Sequence, residues 1–282
     1  MSIRIVTDST ADLPAGLAAE RRITVVPLTV MFGDNSFLDG VDIDTAEFFH
    51  RLPDEPQPPT TSQPSPAAFR EIYERLAAEG ATEILSIHVS EKVSGTLNSA
   101  RQGAEGLDVR VVHVDSQVTS MALGLGVLAA ADAIDDGTSL DEAKVLAEDL
   151  FARTHIFIIV ETLEYLRRGG RIGRAGHLFG SLLKITPVLT FEDGEVAPLA
   201  KARTQSKAIA AGLKLAEAQA PFQLAAAMHT NSPDGADAIA ARLREIQPDV
   251  SIITSTLGPA VGTHCGPGTL AFAVISSPSP DG

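Results

Sequence analysis

Apolar and polar positions alternate in two rhythms along the first half of the chain. Residues 3–7, 83–89 and 109–114 are short runs rich in Ile, Val and Leu, and 23–32 is a longer run of the same kind. Apolar β-branched runs of this length predict strands. Between them lie segments with helical period. Ser65-Pro66 offers an N-cap followed by a proline at the first helical position; Phe69, Ile72, Tyr73 and Leu76 then share one face, and Gly80 closes the segment. Ser139, with Glu142 three residues later, is a capping box ahead of another helix. Residues 33–40 read as a turn-rich interruption. Strands alternating with helices predict a mostly parallel sheet covered by helices.

The pattern changes after residue 154. A strand over 155–160 opens a second block, in which Asp193-Gly194 sits between the apolar runs 187–192 and 195–199 as a hairpin signal. A helix over 205–218, a strand over 222–228, a helix opened by Ser232-Pro233 and strands over 250–254 and 270–275 complete it. The expected architecture is therefore α/β with two domains, 1–154 and 155–282: a mostly parallel sheet in the first, a mixed sheet in the second, and a ligand between them. The polar, Pro-rich tail from 276 is expected to fray. Residues 52–66 hold six of the seventeen prolines, Pro53, Pro56, Pro58, Pro59, Pro64 and Pro66. This segment reads either as a surface linker or as a rigid loop presenting Thr60, Thr61 and Ser62.

Composition narrows the function. The chain has 282 residues, enough for about two domains and a sizeable core. Asp plus Glu number 36 against 22 Lys plus Arg, a net charge of −14, and aromatics are 5% with no Trp. Both facts argue against gripping a phosphate backbone or stacking bases, so no nucleic-acid partner is expected. The single cysteine, Cys265, excludes an intrachain disulfide and fits a reducing compartment. Asp8 and Asp12 interrupt the start before a leader-like apolar run could form, and the longest uncharged apolar stretch, 118–131, is shorter than the ~20 residues a membrane span needs. A cytoplasmic protein with no stable membrane anchor is expected.

In open α/β sheets, ligands sit off the carboxyl ends of strands. Three loops qualify: Asp8-Ser9-Thr10-Ala11-Asp12, the turn carrying Ser94-Gly95-Thr96, and Asp115-Ser116. Ser94-Gly95-Thr96 suits a carboxylate or phosphate, or else merely caps its helix. Arg167, Arg168, Arg171 and Arg174 fall within eight residues, interleaved with glycines. With Lys184, Lys201, Arg203 and Lys207 they form a basic island in an acidic chain, aimed at something anionic or simply solvated. The glycine-dense stretch 258–268 holds His264 between expected tight turns, where it could donate to an anion, act as a base, or pack; Cys265 reads as a small buried hydrophobe. Gly124 and Gly126 fit helix packing better than dinucleotide binding. The histidines lack metal-ligand spacing, and neither a Walker loop nor a G-x-S-x-G elbow is found.

Taken together, several segments resemble the DegV family, the fatty-acid-binding subunits of bacterial fatty acid kinases. They are the run from Thr7-Asp8-Ser9-Thr10 to Leu13-Pro14, Thr61-Ser62-Gln63-Pro64-Ser65, Ser94-Gly95-Thr96 with Ser99-Ala100, Asp115-Ser116, the run from Leu163-Glu164 to Arg171-Ile172, and Gly258-Pro259 through Gly262-Thr263-His264 to Gly268. The resemblance implies two α/β domains with a long-chain fatty acid buried between them. Its carboxylate would be held by Thr61 or Ser62, by the Ser94 hydroxyl with the Gly95 and Thr96 backbone, and by His264. Arg167, Arg168, Arg171 and Arg203 would face a separate ATP-binding kinase subunit that supplies ATP and Mg²⁺. This chain would then carry no metal, no cofactor and no catalytic residue of its own. It departs from the family pattern at Thr186, where many relatives have Lys, and at Cys265, where Thr is frequent. Two other readings stand beside this one: a serine hydrolase or acyltransferase with Ser94 as nucleophile and His264 as base, and a regulatory binder of some other anionic metabolite.

Overall fold

The computed structural model describes residues 2–55, 57–178 and 185–278; Pro56, Lys184 and the last four residues of the tail lie outside them. The first half runs β1 (Ile3–Asp8), α1 (Ala15–Glu20), β2 (Ile23–Val26), β3 (Thr29–Phe32), β4 (Asn35–Leu38), α2 (Thr45–Arg51), β5 (Thr60–Ser62), α3 (Pro66–Ala78), β6 (Glu83–His88), α4 (Thr96–Ala104), β7 (Arg110–Asp115), α5 (Met121–Asp135) and α6 (Leu140–Ala152). The second runs β8 (Thr154–Ile159), α7 (Glu164–Arg168), β9 (Thr186–Glu192), β10 (Glu195–Ala202), α8 (Gln205–Glu217), β11 (Phe222–His229), α9 (Pro233–Ile246), β12 (Ile252–Thr256), α10 (Pro259–Cys265) and β13 (Leu270–Ser276).

Among the described residues the strands form three sheets. The parallel sheet of the first half has the order β2-β1-β6-β7, and the mixed sheet of the second has the order β10-β9-β8-β13-β11-β12. The third, an antiparallel sheet β4-β3-β5, has no counterpart in the sequence reading. The long apolar run 23–32 is two strands in two different sheets. Pro27 cannot donate to a ladder, so the chain leaves the parallel sheet after Val26 and starts the small one at Thr29. The turn-rich stretch after it contains β4, paired with β3 across Gly33-Asp34.

Local chemistry sets the ends of the helices. Ser65 accepts the Ala68 N–H at the start of α3, whose Phe69, Tyr73 and Leu76 are buried. The Ser139/Glu142 capping box closes both ways at α6. The β9–β10 hairpin turns on Asp193 and Gly194 with φ of 51° and 80°, the left-handed pair that a two-residue turn requires.

The halves share a core. α5 is buried along most of its length and lies between the sheets, packing on α6 and β1 on one side and on β11 and β13 on the other. A Cβ at Gly126 would come within 2.4 Å of the Phe151 ring, so this glycine serves helix contact. Separate apolar clusters lie under α8 and α9, under α3 and α4, and beneath the small sheet. The last joins Phe32, Ile43 and Phe48 of the first half to Ala260 of α10, so α10 belongs to the second half by sequence but packs beneath the first.

Candidate functional site

A cavity enclosing about 970 Å³ of unfilled space, solvent at its mouth included, lies between the halves. Its walls are mostly apolar: Leu28, Val89 and Val93 from the first half; Ile158, Leu166, Leu189, Phe191, Val196 and Val261 from the second. Thr61, Ser62, Gln63, Ser94, Arg171 and His264 also line it, and Thr10 and Thr119 add hydroxyls.

The Pro-rich segment is no slack linker. Its centre is β5, where Thr61 pairs with Val30 of β3, and this pairing aims the Thr61 hydroxyl at the second half. The Thr61 Oγ1 lies 2.8 Å from His264 Nε2. Of the tight turns expected around His264, the stretch before it is α10, with His264 in the last turn, whereas the chain after it does turn, with φ of 76° at Gly266 and 69° at Gly268. The ring packs against Gly169, where a Cβ would fall 2.0 Å from Nδ1, so any larger residue displaces the imidazole. Nδ1 is buried without a partner. Burial, with the Arg171 charge nearby, pushes the imidazole down to about 4, and the ring is neutral at pH 7. With its proton on Nε2, Thr61 accepts, and the threonine hydroxyl proton is free to donate to an anion.

Ser94 Oγ lies 2.8 Å from Thr96 Oγ1 and accepts the Thr96 N–H at 3.3 Å. Ser94 thus supports the start of α4 and also lines the cavity. Gly95 and Thr96 stand one step back. Thr96 is buried in α4, and Gly95 lines an adjoining open cleft of about 780 Å³ of unfilled space, solvent again included. That cleft shares Val93, Ser94, Arg171 and Val196 with the cavity, so a single layer of side chains separates the two. Ser62 also lines the cavity, is exposed, and donates to the Gln63 carbonyl.

Arg171, expected to face the kinase subunit, lines both the cavity and the adjoining open cleft, donating through Nε to the Val93 carbonyl (3.0 Å) and through Nη1 to the Gly169 carbonyl (2.7 Å). It thereby ties the Ser94 loop to the segment beneath His264. Arg167 and Arg168 are exposed and both pair with Glu164, whose carboxyl they hold down at about 2. Arg174 pairs with Glu192, Asp193 and Glu195, so the basic island meets much of its charge within its own loops. Arg203 is exposed and has no ion pair among the described residues.

The arrangement does not make a nucleophile–base pair. Ser94 is bonded to Thr96, and His264 to Thr61. The connectivity of a hydrolase triad occurs elsewhere: Ser86 Oγ lies 2.7 Å from His88 Nε2, and His88 Nδ1 lies 2.9 Å from Asp8 Oδ2. Those three and Tyr73, which bonds Ser86, are all 0% exposed, and none lines the cavity. What the cavity offers instead is a set of hydroxyls, a neutral imidazole and one guanidinium beside an apolar chamber, a geometry for an anionic head on an apolar body.

The family model described as "Uncharacterised protein, DegV family" matches residues 2–277. This chain belongs to the DegV family. A DegV domain-containing protein of Streptomyces coelicolor is 44% identical over 278 residues, covering 97% of this chain and 98% of that protein. Protein DegV of Bacillus subtilis is 33% identical, covering 96% of this chain and 98% of its own. Among solved DegV structures, one from Thermus thermophilus, described for its fatty acid binding, superposes with a TM-score of 0.89 at 36% identity, covering 98% of this chain and 100% of that one. Another from Bacillus subtilis, described as a fatty acid binding protein, gives 0.90 at 31% identity with the same coverage. Thr61, Ser62, Gln63, Ser94, Arg171 and His264 line the cavity, and Gly95 lines the adjoining cleft. Gln63 is the residue that sequence reasoning passed over. Its amide lies where a Gly95 Cβ would be, 2.3 Å away at the nearest atom, and donates to Ser99 Oγ. Its place directly after Ser62 was the available signal. Cys265 is the expected buried hydrophobe, with burial pushing its thiol up to about 12. Among the described residues no helix is long and apolar enough to cross a membrane, and no cluster of three His, Cys, Asp or Glu is placed to hold a metal ion.

Proposed function

We propose that this chain binds a long-chain fatty acid in the cavity between its halves and presents the carboxylate to a separate ATP-dependent kinase subunit, which forms the acyl phosphate. The observation that carries the reading is the apolar chamber bordered by Thr61, Ser62, Ser94 and His264. The fatty acid binding described for the Thermus thermophilus and Bacillus subtilis relatives supports it.

The energetics divide between tail and head. About fourteen buried methylenes at ~0.8 kcal/mol each give on the order of 11 kcal/mol gross. Ordering and association take back several kcal/mol, which leaves affinities between micromolar and nanomolar. The tail therefore supplies the affinity and the head supplies the selection. A carboxylate drawn out of water must be hydrogen-bonded or it protonates. Thr61, Ser62 and Ser94 donate hydroxyls, the Gly95 and Thr96 backbone supports the Ser94 turn, and neutral His264 gives its one N–H to Thr61, which leaves the Thr61 hydroxyl proton for the carboxylate. Among the described residues, Arg171 supplies the one positive charge in the wall. Such donors leave one carboxylate oxygen free to attack the γ-phosphorus of ATP, forming an O–P bond as ADP departs. The thin wall between cavity and cleft, Val93, Ser94, Arg171 and Val196, is where the oxygen would emerge. Mg²⁺ and ATP belong to the partner subunit, which Arg167, Arg168 and Arg203 would meet, in the cytoplasm where ATP is held.

The test is native mass spectrometry with organic extraction of the purified protein, followed by addition of oleate or palmitate. One long-chain acid per chain is the expected result. A protein that purifies empty and takes up neither acid overturns the reading. Labelling of Ser94 by a fluorophosphonate, lost in Ser94→Ala, would restore the hydrolase alternative.

A further inference from the structure

Two buried carboxylates close on the helix that carries His264. Asp12 follows β1 and Asp39 follows β4; they are 8% and 4% exposed. Asp12 Oδ1 accepts the Gly258 N–H at 2.8 Å, Oδ2 accepts the Ser120 hydroxyl at 2.6 Å, and the Asp12 carbonyl accepts Ser255 Oγ at 2.6 Å. The Ser9 hydroxyl and the Ala260 N–H lie near the Asp39 carboxyl and favour its charged form, and its Oδ2 is buried without a partner. Both acids approach because residue 258 is glycine: a Cβ there would lie 2.9 Å from Asp12 Oδ1 and 3.4 Å from Asp39 Oδ1. The first half thus grips the opening of α10 from two directions. α10 has seven residues, so a shift of its first turn is a shift of His264 in its last.

The grip is made without a cation. Burial, with other carboxylates nearby, raises Asp12 well above the usual carboxylate range and Asp39 to about 6. The other titratable groups around it are Asp8, bonded to His88, and Cys265 in α10; Arg171 stands beside His264.

We infer that Asp12 and Asp39 are positioning residues of the carboxylate clamp, holding the start of α10 so that His264 meets Thr61. Neither lines the cavity. The inference rests on the fatty-acid reading for its consequence, though not for its geometry.

The experiment has two readouts in the full chain: the titration of His264, followed by NMR of labelled histidine and assigned with His264→Gln, and the affinities for oleate and for oleyl alcohol, which has the same tail without the acid. The variants are Asp39→Ala and Gly258→Ala. The second keeps both carboxylates and pushes the helix off them, and its φ of −65° suits alanine, so it carries the test should the first fail to fold. In both, His264 is expected to titrate at least about one pH unit higher than in wild type, as the ring is released toward water. Oleate affinity is expected to fall about tenfold or more while oleyl alcohol changes by less than about twofold. A His264 titration unchanged in a folded variant overturns the inference, as does an equal loss for acid and alcohol. A wild-type protein that binds neither probe overturns the fatty-acid reading, and the His264 titration still decides the clasp.

Discussion

His88 and His264 are both withdrawn from water, yet their surroundings differ in one respect: how much hydrogen-bonding capacity is already used. His88 has both ring nitrogens bonded, to Ser86 and to Asp8, and Asp8 in turn accepts from Thr10 N, Thr10 Oγ1 and Val89 N. Ser86 is bonded again to Tyr73. His264 has one nitrogen on Thr61 and the other bare, and it lines a cavity. A saturated polar array without access is architecture, whatever triad it resembles; unspent hydrogen-bonding capacity at an apolar chamber forms a site.

Asp8→Ala should give the largest effect, because it strips one acceptor from four donors in a sealed core. We expect a loss of about 3–5 kcal/mol in denaturant unfolding, or failure to accumulate folded protein. A loss below about 1 kcal/mol would mean that the array is not what holds β1 to β6. His264→Ala should show the opposite profile. Its stability should change by no more than about 1–2 kcal/mol, whereas oleate affinity should fall about 10- to 100-fold with oleyl alcohol little affected, measured by fluorescence competition. Arg171→Ala comes next. It loosens both the Ser94 loop and the Gly169 segment, and oleate should weaken about five- to tenfold. Arg167→Ala with Arg168→Ala should leave oleate within about twofold, since those side chains are exposed, pair with Glu164 and do not line the cavity. Equal effects from the two Arg variants would erase the distinction drawn between them.

The smallest effect is the pH dependence. His264 is pushed down to about 4 in the folded protein from an ordinary 6.5. The folded state then binds fewer protons, so the stability contributed by the neutral ring is complete above 6.5 and is lost as pH falls from 6.5 toward 4. Asp39, raised to about 6, runs the other way: its contribution is complete below the ordinary 3.8 and is lost as pH rises toward 6. Total stability between pH 4 and 6 is therefore partly compensated. The difference between wild type and His264→Ala isolates the first effect and should shrink on acidification; a difference constant with pH contradicts the burial assigned to this ring.

Capped helices and the Asp193-Gly194 turn were legible in the sequence because their determinants lie within a few residues of one another. Ser94 and His264 were legible as candidates for the same reason, each standing in a distinctive local stretch. The Pro27 break was not, because apolar content continues through it and only pairing partners show that the strand changes sheet. The 258–268 stretch read as turns because its glycines suggest backbone freedom, whereas Gly258 and Gly262 are small to admit Asp12 and the Phe49 ring. Arg171 showed its charge but not its direction, and the Asp8–His88 bond spans 80 residues that only strand register brings together.

A crystal structure of the protein with oleate bears most directly on the central claim. The account predicts a single alkyl tail between Leu189, Phe191 and Val261, with its carboxylate within hydrogen-bond reach of Ser94 and of the Thr61–His264 pair. A cavity filled by shifted side chains, or an acid bound with its head away from those residues, would contradict it.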